Sequence, residues 1–160
     1  MQPFDIKLAY NTSPWCTVRL EVGHNEVGDA DDPDWVLPGD VRAMFLELGF
    51  AEPGPMPLMT LDHQVAQKLH AISCPGSSRV HDLVDLQVIV EEADLDLALV
   101  RKTCERLFAY RAEQTWPPVI ALGEGWDESY TAQRGALDVL PSAVDAVTWA
   151  NDLVNRIARA

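Results

Sequence analysis

The residues equipped for chemistry cluster between positions 61 and 91 of a 160-residue chain. Set on a helix at about 100° per residue, Leu61, Ile72, Val65 and Leu69 fall at about 0°, 20°, 40° and 80° and form one apolar stripe. Lys68 falls at about 340°, on the shoulder of that stripe rather than opposite it. A lysine so placed either lays its methylenes along a core and lifts its ammonium to water, or holds a charge where one is needed. The next segment has the complementary anomaly. Leu83, Val84, Leu86, Val88, Ile89 and Val90 are apolar nearly all round, which predicts a buried helix. Its interior charges, Asp82 and Asp85, share one face. The helix dipole favours carboxylates near an N-terminus, which suits Asp82 better than Asp85. On a buried helix both need a cation, and Lys68 or Arg79 can supply it. A structural ion network and a functional site satisfy this pattern equally.

Other chemistries find less support. His63 and His70 fall at about 200° and 180°, opposite the apolar stripe, and are expected in solvent. Their separation is not a usual metal-ligand spacing. Cys74, Ser77 and Ser78 have no neighbouring base that would mark a nucleophile. Glycine-rich phosphate loops of the GxGxxG or GxxxxGK kind are absent from the sequence. Cys16, Cys74 and Cys104 are scattered and odd in number, as expected of reduced thiols, and offer no clustered zinc pattern.

The elements that position these residues follow from two periods. Phe4, Ile6, Leu8 and Tyr10 alternate with Asp5, Lys7 and Ala9. Cys16, Val18, Leu20 and Val22 alternate likewise with Thr17, Arg19 and Glu21. This predicts two half-buried strands joined by turn chemistry at Asn11-Thr-Ser-Pro14. Two strands alone are marginal, so the pair calls for a larger sheet. Residues 26–40 read as an acidic loop. Asp40 then caps a short helix with Val41, Met44, Phe45 and Leu48 on one face, ended by Gly49. Residues 51–57 read as an irregular connector. From Leu58 the period is helical. Thr60 caps a helix that stops near Cys74, Ser78 caps one over 79–91, and Asp94 caps a third. A fourth covers 126–137, and a Ser142-x-x-Asp145 capping box opens the last. The expected fold is α+β, a short antiparallel β element followed by a mainly helical bundle. Residues 1–57 form the first part and residues 58–160 a helical domain. The short connection between the helices at 61–73 and 79–91 favours antiparallel packing, which brings Lys68 toward the aspartates.

Composition limits the function classes. Twelve basic against 25 acidic residues give 12 − 25 = −13. Between Leu20 and Gln67 there are ten carboxylates and one base, Arg42. Lys68, Arg79, Arg101, Lys102, Arg106 and Arg111 follow and carry half of all the positive charge. Such a chain repels nucleic acid broadly, so non-specific DNA binding is not expected, whereas a small anion held by a few bases is. No run approaches the ~18 apolar residues of a membrane span, and the start lacks the pattern of a signal peptide. A cytoplasmic location is expected.

The segment Met56-Pro-Leu-Met-Thr-Leu-Asp-His-Gln-Val-Ala-Gln-Lys-Leu-His-Ala71, followed by Ser78-Arg-Val-His-Asp-Leu-Val-Asp-Leu86, resembles the AbiEii/AbiGii toxin family of nucleotidyltransferases. That family, of the DNA polymerase β-like superfamily, carries an LxxQxAEKLHA segment followed by SRVKDLxDL. The resemblance implies nucleotide transfer from an NTP, with Mg²⁺, to an acceptor such as tRNA or protein, and a cognate antitoxin as partner. It places Lys68 and Arg79 on the triphosphate and makes Lys68, Asp82 and Asp85 the catalytic set. Glu21, on the polar face of the second strand, is its candidate for a metal-binding sheet carboxylate. Gln67 stands where the family has glutamate, and His81 where it has lysine, and each removes a formal charge. The resemblance also calls for a Gly-Gly/Ser motif and a DxD-like pair ahead of the strands, which do not precede Phe4. The chain is therefore expected to correspond to the C-terminal portion of such a nucleotidyltransferase, and to be inactive alone. The alternatives are a non-catalytic, truncated relative acting as a protein-interaction module, and a plain structural domain.

Overall fold

The computed structural model describes residues 2–160. Strands β1 (Gln2–Tyr10) and β2 (Ser13–Val22) form an antiparallel hairpin. Its loop residues Asn11 and Thr12 both take positive φ, 47° and 65°, the hand that matches the twist of the flanking strands. The register pairs Phe4 with Leu20, Ile6 with Val18 and Leu8 with Cys16, so one face of the hairpin is apolar. Every residue from 3 to 25 is nevertheless exposed. The hairpin forms as expected, but among the described residues no third strand joins it. A second small sheet, absent from the sequence reading, pairs β3 (Asp34–Val36) with β4 (Met56–Leu58) around helix α1 (Gly39–Glu47). Helix α1 is preceded by Pro38 at the cap position, two residues earlier than the expected Asp40, and ends as expected at Gly49, whose φ is 75°.

Helices α2 (Leu61–Ser73), α3 (His81–Glu92), α4 (Leu97–Arg111), α5 (Trp126–Arg134) and α6 (Ala143–Arg159) form the bundle. The fold is thus α+β with a helical bundle. Three boundaries differ from the sequence reading. Helix α3 begins at His81, so Ser78 is not its cap. Helix α5 ends at Arg134, ahead of Gly135. Helix α4 is capped by Asp96, not Asp94, and that carboxylate accepts from the N–H of Ala98 and Leu99. Ser142 caps α6 as expected, accepting from Asp145 N–H.

The core lies wholly within these helices and the segments between them. Val65, Leu69 and Ile72 of α2, Leu83 and Leu86 of α3, Leu107 and Phe108 of α4, and the stripe Ala146, Ala150, Leu153, Ile157 of α6 share one buried cluster. The buried amide of Gln87 is fully matched. Gln87 donates to the Leu83 carbonyl at 2.8 Å and to the Tyr130 hydroxyl at 3.0 Å, and its oxygen accepts from Leu140 N–H at 2.9 Å. The acidic loop is tied down rather than free. Val27 packs on the core, its carbonyl accepts from Arg106, and Asp29 accepts from Gln67 at 2.8 Å. Among the described residues no helix is long and apolar enough to cross a membrane.

The contact between Thr103 of α4 and Asp62 of α2 has a strength that depends on pH. Thr103, buried on α4, donates to Asp62 of α2 at 2.6 Å. Burial works against the Asp62 carboxylate, but the hydrogen bonds from Thr103 and Thr60 and the neighbouring His63 hold its pKa below the ordinary aspartate value. A lowered carboxylate pKa adds stability that is complete above the unfolded value of ~3.9 and is lost as pH falls through the folded one. Thr103→Val should therefore cost about 1 kcal/mol at pH 7, by removing one of the two hydroxyl donors from a half-buried acceptor. In urea unfolding the gap between variant and parent should narrow near pH 3. An equal gap at both values would mean that Thr103 acts through packing alone.

Candidate functional site

Helices α2 and α3 meet at a four-residue ion cluster. The Lys68 ammonium donates to Asp82 Oδ1 at 2.9 Å and to Asp85 Oδ2 at 2.6 Å. Arg79, just before α3, donates through Nε to Asp82 Oδ2 at 2.9 Å. Each oxygen of Asp82 therefore has its own cation. That matters because the Asp82 side chain is 0% exposed, whereas Lys68 is 20% and Asp85 48% exposed. A carboxylate this deep is tolerable only when both lone-pair faces are occupied. Burial alone would weaken the Lys68 ammonium. Its hydrogen bonds to Asp85 and Asp82 outweigh that and raise its pKa above the ordinary lysine value. Lys68 is thus charged at any physiological pH.

Lys68, Arg79 and Asp82 line an open cleft of about 1010 Å³, whose wall also includes Gln64, His70, Cys74 and Arg111, whereas Asp85 lies outside that lining. Lys68 spends two of its three N–H groups on the aspartates, and Arg79 spends only Nε on Asp82. The remaining donors are available to a ligand. Gln67, one residue before Lys68, points its amide at Asp29. A carboxylate at this position would face another carboxylate, so the glutamine is what allows the acidic loop to close on α2. His81 Nε2 lies 3.8 Å from Asp82 Oδ1 on an exposed ring.

Not all the residues singled out by sequence converge. Lys68, Arg79, Asp82 and Asp85 do. Glu21 sits on the exposed hairpin, paired with Arg19 at 3.4 Å, and among the described residues no hydrogen bond or ion pair joins it to the cluster. Nor do the residues present fit a magnesium ion, which needs several free oxygen ligands in octahedral array. Both oxygens of Asp82 are occupied by cations, and one oxygen of Asp85 is held by Lys68.

His70 was expected in solvent and is instead 2% exposed. Its ring packs edge-on against Phe108, with centroids 4.9 Å apart. Nδ1 lies 3.2 Å from Arg111 Nη1, and Arg111 is held in turn by Glu26 through Nε at 2.7 Å. Burial and the Arg111 charge push the His70 pKa down, more than Glu113 and Glu26 push it up. Helix periodicity placed this ring on the open side of α2. Nothing in the local sequence signals that the end of α4 and the 26–29 loop cover that side.

Surplus cationic donors beside a buried lysine–aspartate pair, in a polar cleft, equip a protein that handles phosphoryl groups. The chain belongs to the family of nucleotidyl transferase AbiEii toxins of type IV toxin–antitoxin systems, whose model matches residues 4–152. A comparison with curated proteins found no match.

The cluster makes a quantitative prediction. Lys68→Met would leave Asp82 buried with Arg79 as its one cation, at a cost of about 2–3 kcal/mol. Removing the carboxylate as well, in Lys68→Met/Asp82→Leu, should bring stability back to within about 1 kcal/mol of the parent, since apolar replacements of buried ion pairs often break even. Urea midpoints of the single and double variants decide it. A double variant no more stable than the single one would show that Asp82 is not held by its cations.

Proposed function

We propose that this chain takes part in nucleotide transfer from an NTP to an acceptor, and that it supplies the face of the site that holds the triphosphate. The observation that carries this is the Lys68 ammonium, kept charged by Asp82 and Asp85 and presented with Arg79 to a cleft of about 1010 Å³. Positioned cations neutralise charge on phosphoryl oxygens, and little covalent chemistry is asked of the protein in such transfers. In this reading Lys68 and Arg79 bind the triphosphate. Asp82, sealed from solvent, is a positioning residue that acts through Lys68. Asp85, half exposed, gives one oxygen to Lys68 and helps to hold the ammonium in place. Divalent metal chemistry would need carboxylates beyond this cluster, as Asp82 and Asp85 are committed to cations. In this reading the acceptor is tRNA or protein and the setting cytoplasmic, and membership of a type IV toxin–antitoxin family supports a cognate antitoxin as partner.

A second reading, a protein-interaction module without catalysis, is favoured by one observation. The hairpin carries a continuous apolar face, Phe4, Ile6, Leu8, Val18 and Leu20, with each side chain between 37% and 47% exposed.

Two measurements on the 160-residue chain separate these readings. Titration with a fluorescent NTP analogue should show saturable binding that Lys68→Ala weakens at least tenfold, with the circular dichroism of the helices unchanged. Incubation with Mg²⁺, labelled NTPs and bulk tRNA should give no transfer. Absence of nucleotide binding would leave the interaction module standing, and NTP-dependent labelling of tRNA would overturn the assignment of this chain to the triphosphate face alone.

A further inference from the structure

Beside the ion cluster, the same cleft holds a second group of ligating side chains that the nucleotide reading does not use. His70 and Cys74 stand four apart at the C-terminal end of α2, and Glu113 reaches them from just beyond α4. His70 Nε2 is buried and has no hydrogen-bond partner among the described residues. Glu113 Oε2 lies 3.8 Å from it and 3.6 Å from Cys74 Sγ, and that sulfur lies 3.9 Å from Nδ1 of the same ring. The three ligand atoms lie within 4.8 Å of one another. Around a tetrahedral ion with metal–ligand bonds of about 2.0–2.3 Å, ligand atoms stand about 3.3–3.6 Å apart. Closing the trio onto an ion therefore takes a small contraction, and Glu113, on an exposed chain end, can supply it. Gln114 Oε1, 3.2 Å from Cys74 Sγ, or a water, completes the fourth position.

We propose that His70, Cys74 and Glu113 form a site for a borderline divalent ion of the zinc type, distinct from any magnesium used with nucleotide. Thiolate and imidazole donors select such ions over magnesium, which prefers oxygen throughout. Charge is balanced: the ion and the Arg111 guanidinium oppose the Cys74 thiolate and the Glu26 and Glu113 carboxylates. The protons balance as well. Arg111 has only donors, so His70 Nδ1 now accepts from it and the ring proton sits on Nε2. On binding, that proton moves to Nδ1, Arg111 Nη1 withdraws while its Nε remains on Glu26, and the Cys74 thiol releases one proton to solvent. The ion would clip the end of α2 to the segment after α4, along the wall of the nucleotide cleft. Sequence spacing hid this group because Glu113 joins His70 and Cys74 only through the α2–α4 packing.

Cobalt(II) is a direct probe, used on metal-free protein in which exposed Cys16 is replaced by Ser. Titration should give one equivalent of tetrahedral cobalt, with a thiolate-to-metal band in the near ultraviolet and visible bands that added Zn²⁺ erases and Mg²⁺ does not. Cys74→Ser should abolish the thiolate band. Glu113→Gln, at an exposed position that leaves the fold intact, should weaken binding at least tenfold. No thiolate band in the parent, a band that persists in Cys74→Ser, or full affinity in Glu113→Gln would each overturn the site.

Discussion

The structure around the cleft depends on one constraint, the complete burial of the Asp82 carboxylate. A charge with no access to water must be answered by cations in fixed places, and Lys68 and Arg79 do so, one on each oxygen. This fixes the register of α2 on the start of α3, because any sliding of the helices strands a charge. It also fixes the ammonium. A lysine side chain has many rotamers, and two acceptors on one helix select one of them. The partners differ in their exposure. Asp82 sees no solvent, so its attraction is barely screened, while Asp85 is half exposed and its pairing is weakened by water and salt.

A second consequence runs through the acidic loop. The chain carries a large negative charge, much of it ahead of residue 67, and loops so charged tend to extend into solvent. Here three side chains hold this one against the helices: Gln67 takes Asp29, Arg111 takes Glu26, and Arg106 takes the Val27 carbonyl. Two of those anchors lie on α4, so the wall of the cleft opposite the ion cluster is built by the packing of α2 on α4. The cleft is therefore a product of the helical core, although part of its lining comes from the loop.

Much of this was legible in the sequence where a period was long enough to read. The α2 and α6 stripes, the Ser142 capping box and the hairpin alternation all repeat over several turns or residue pairs, and local chemistry agreed with tertiary packing. The convergence of Lys68 with Asp82 and Asp85 was legible for a different reason: carboxylates on a helix that is apolar nearly all round need a cation, and Lys68 was one of two within reach. Shorter features were not legible. Strands β3 and β4 have three residues each, one with Pro57 at its centre, and no period can be read from three positions. Asp94 and Asp96 are equal as caps by composition, and only the packing of Leu95 on the core decides which turns inward. His70 was misplaced because a helical wheel assumes one buried face. Helix α2 has α3 on one side and α4 on another, so its buried arc is wider than its apolar stripe.

The same contrast separates the firm part of the site from the rest. Lys68, Asp82 and Asp85 sit on helices whose inward faces are fully buried, and a side chain on such a scaffold keeps its geometry without help from a ligand. Glu21 and the other polar residues of the hairpin sit on two strands that bury nothing, and an isolated two-stranded element is marginal in water. Precision of a few tenths of an ångström is available to chemistry performed between α2 and α3. It is not available to chemistry that must bring Glu21 to Lys68 until the hairpin is held by something that covers its apolar face. The difference lies in burial rather than in residue type: Glu21 and Asp85 are the same functional group, and only one of them has a position that the core enforces.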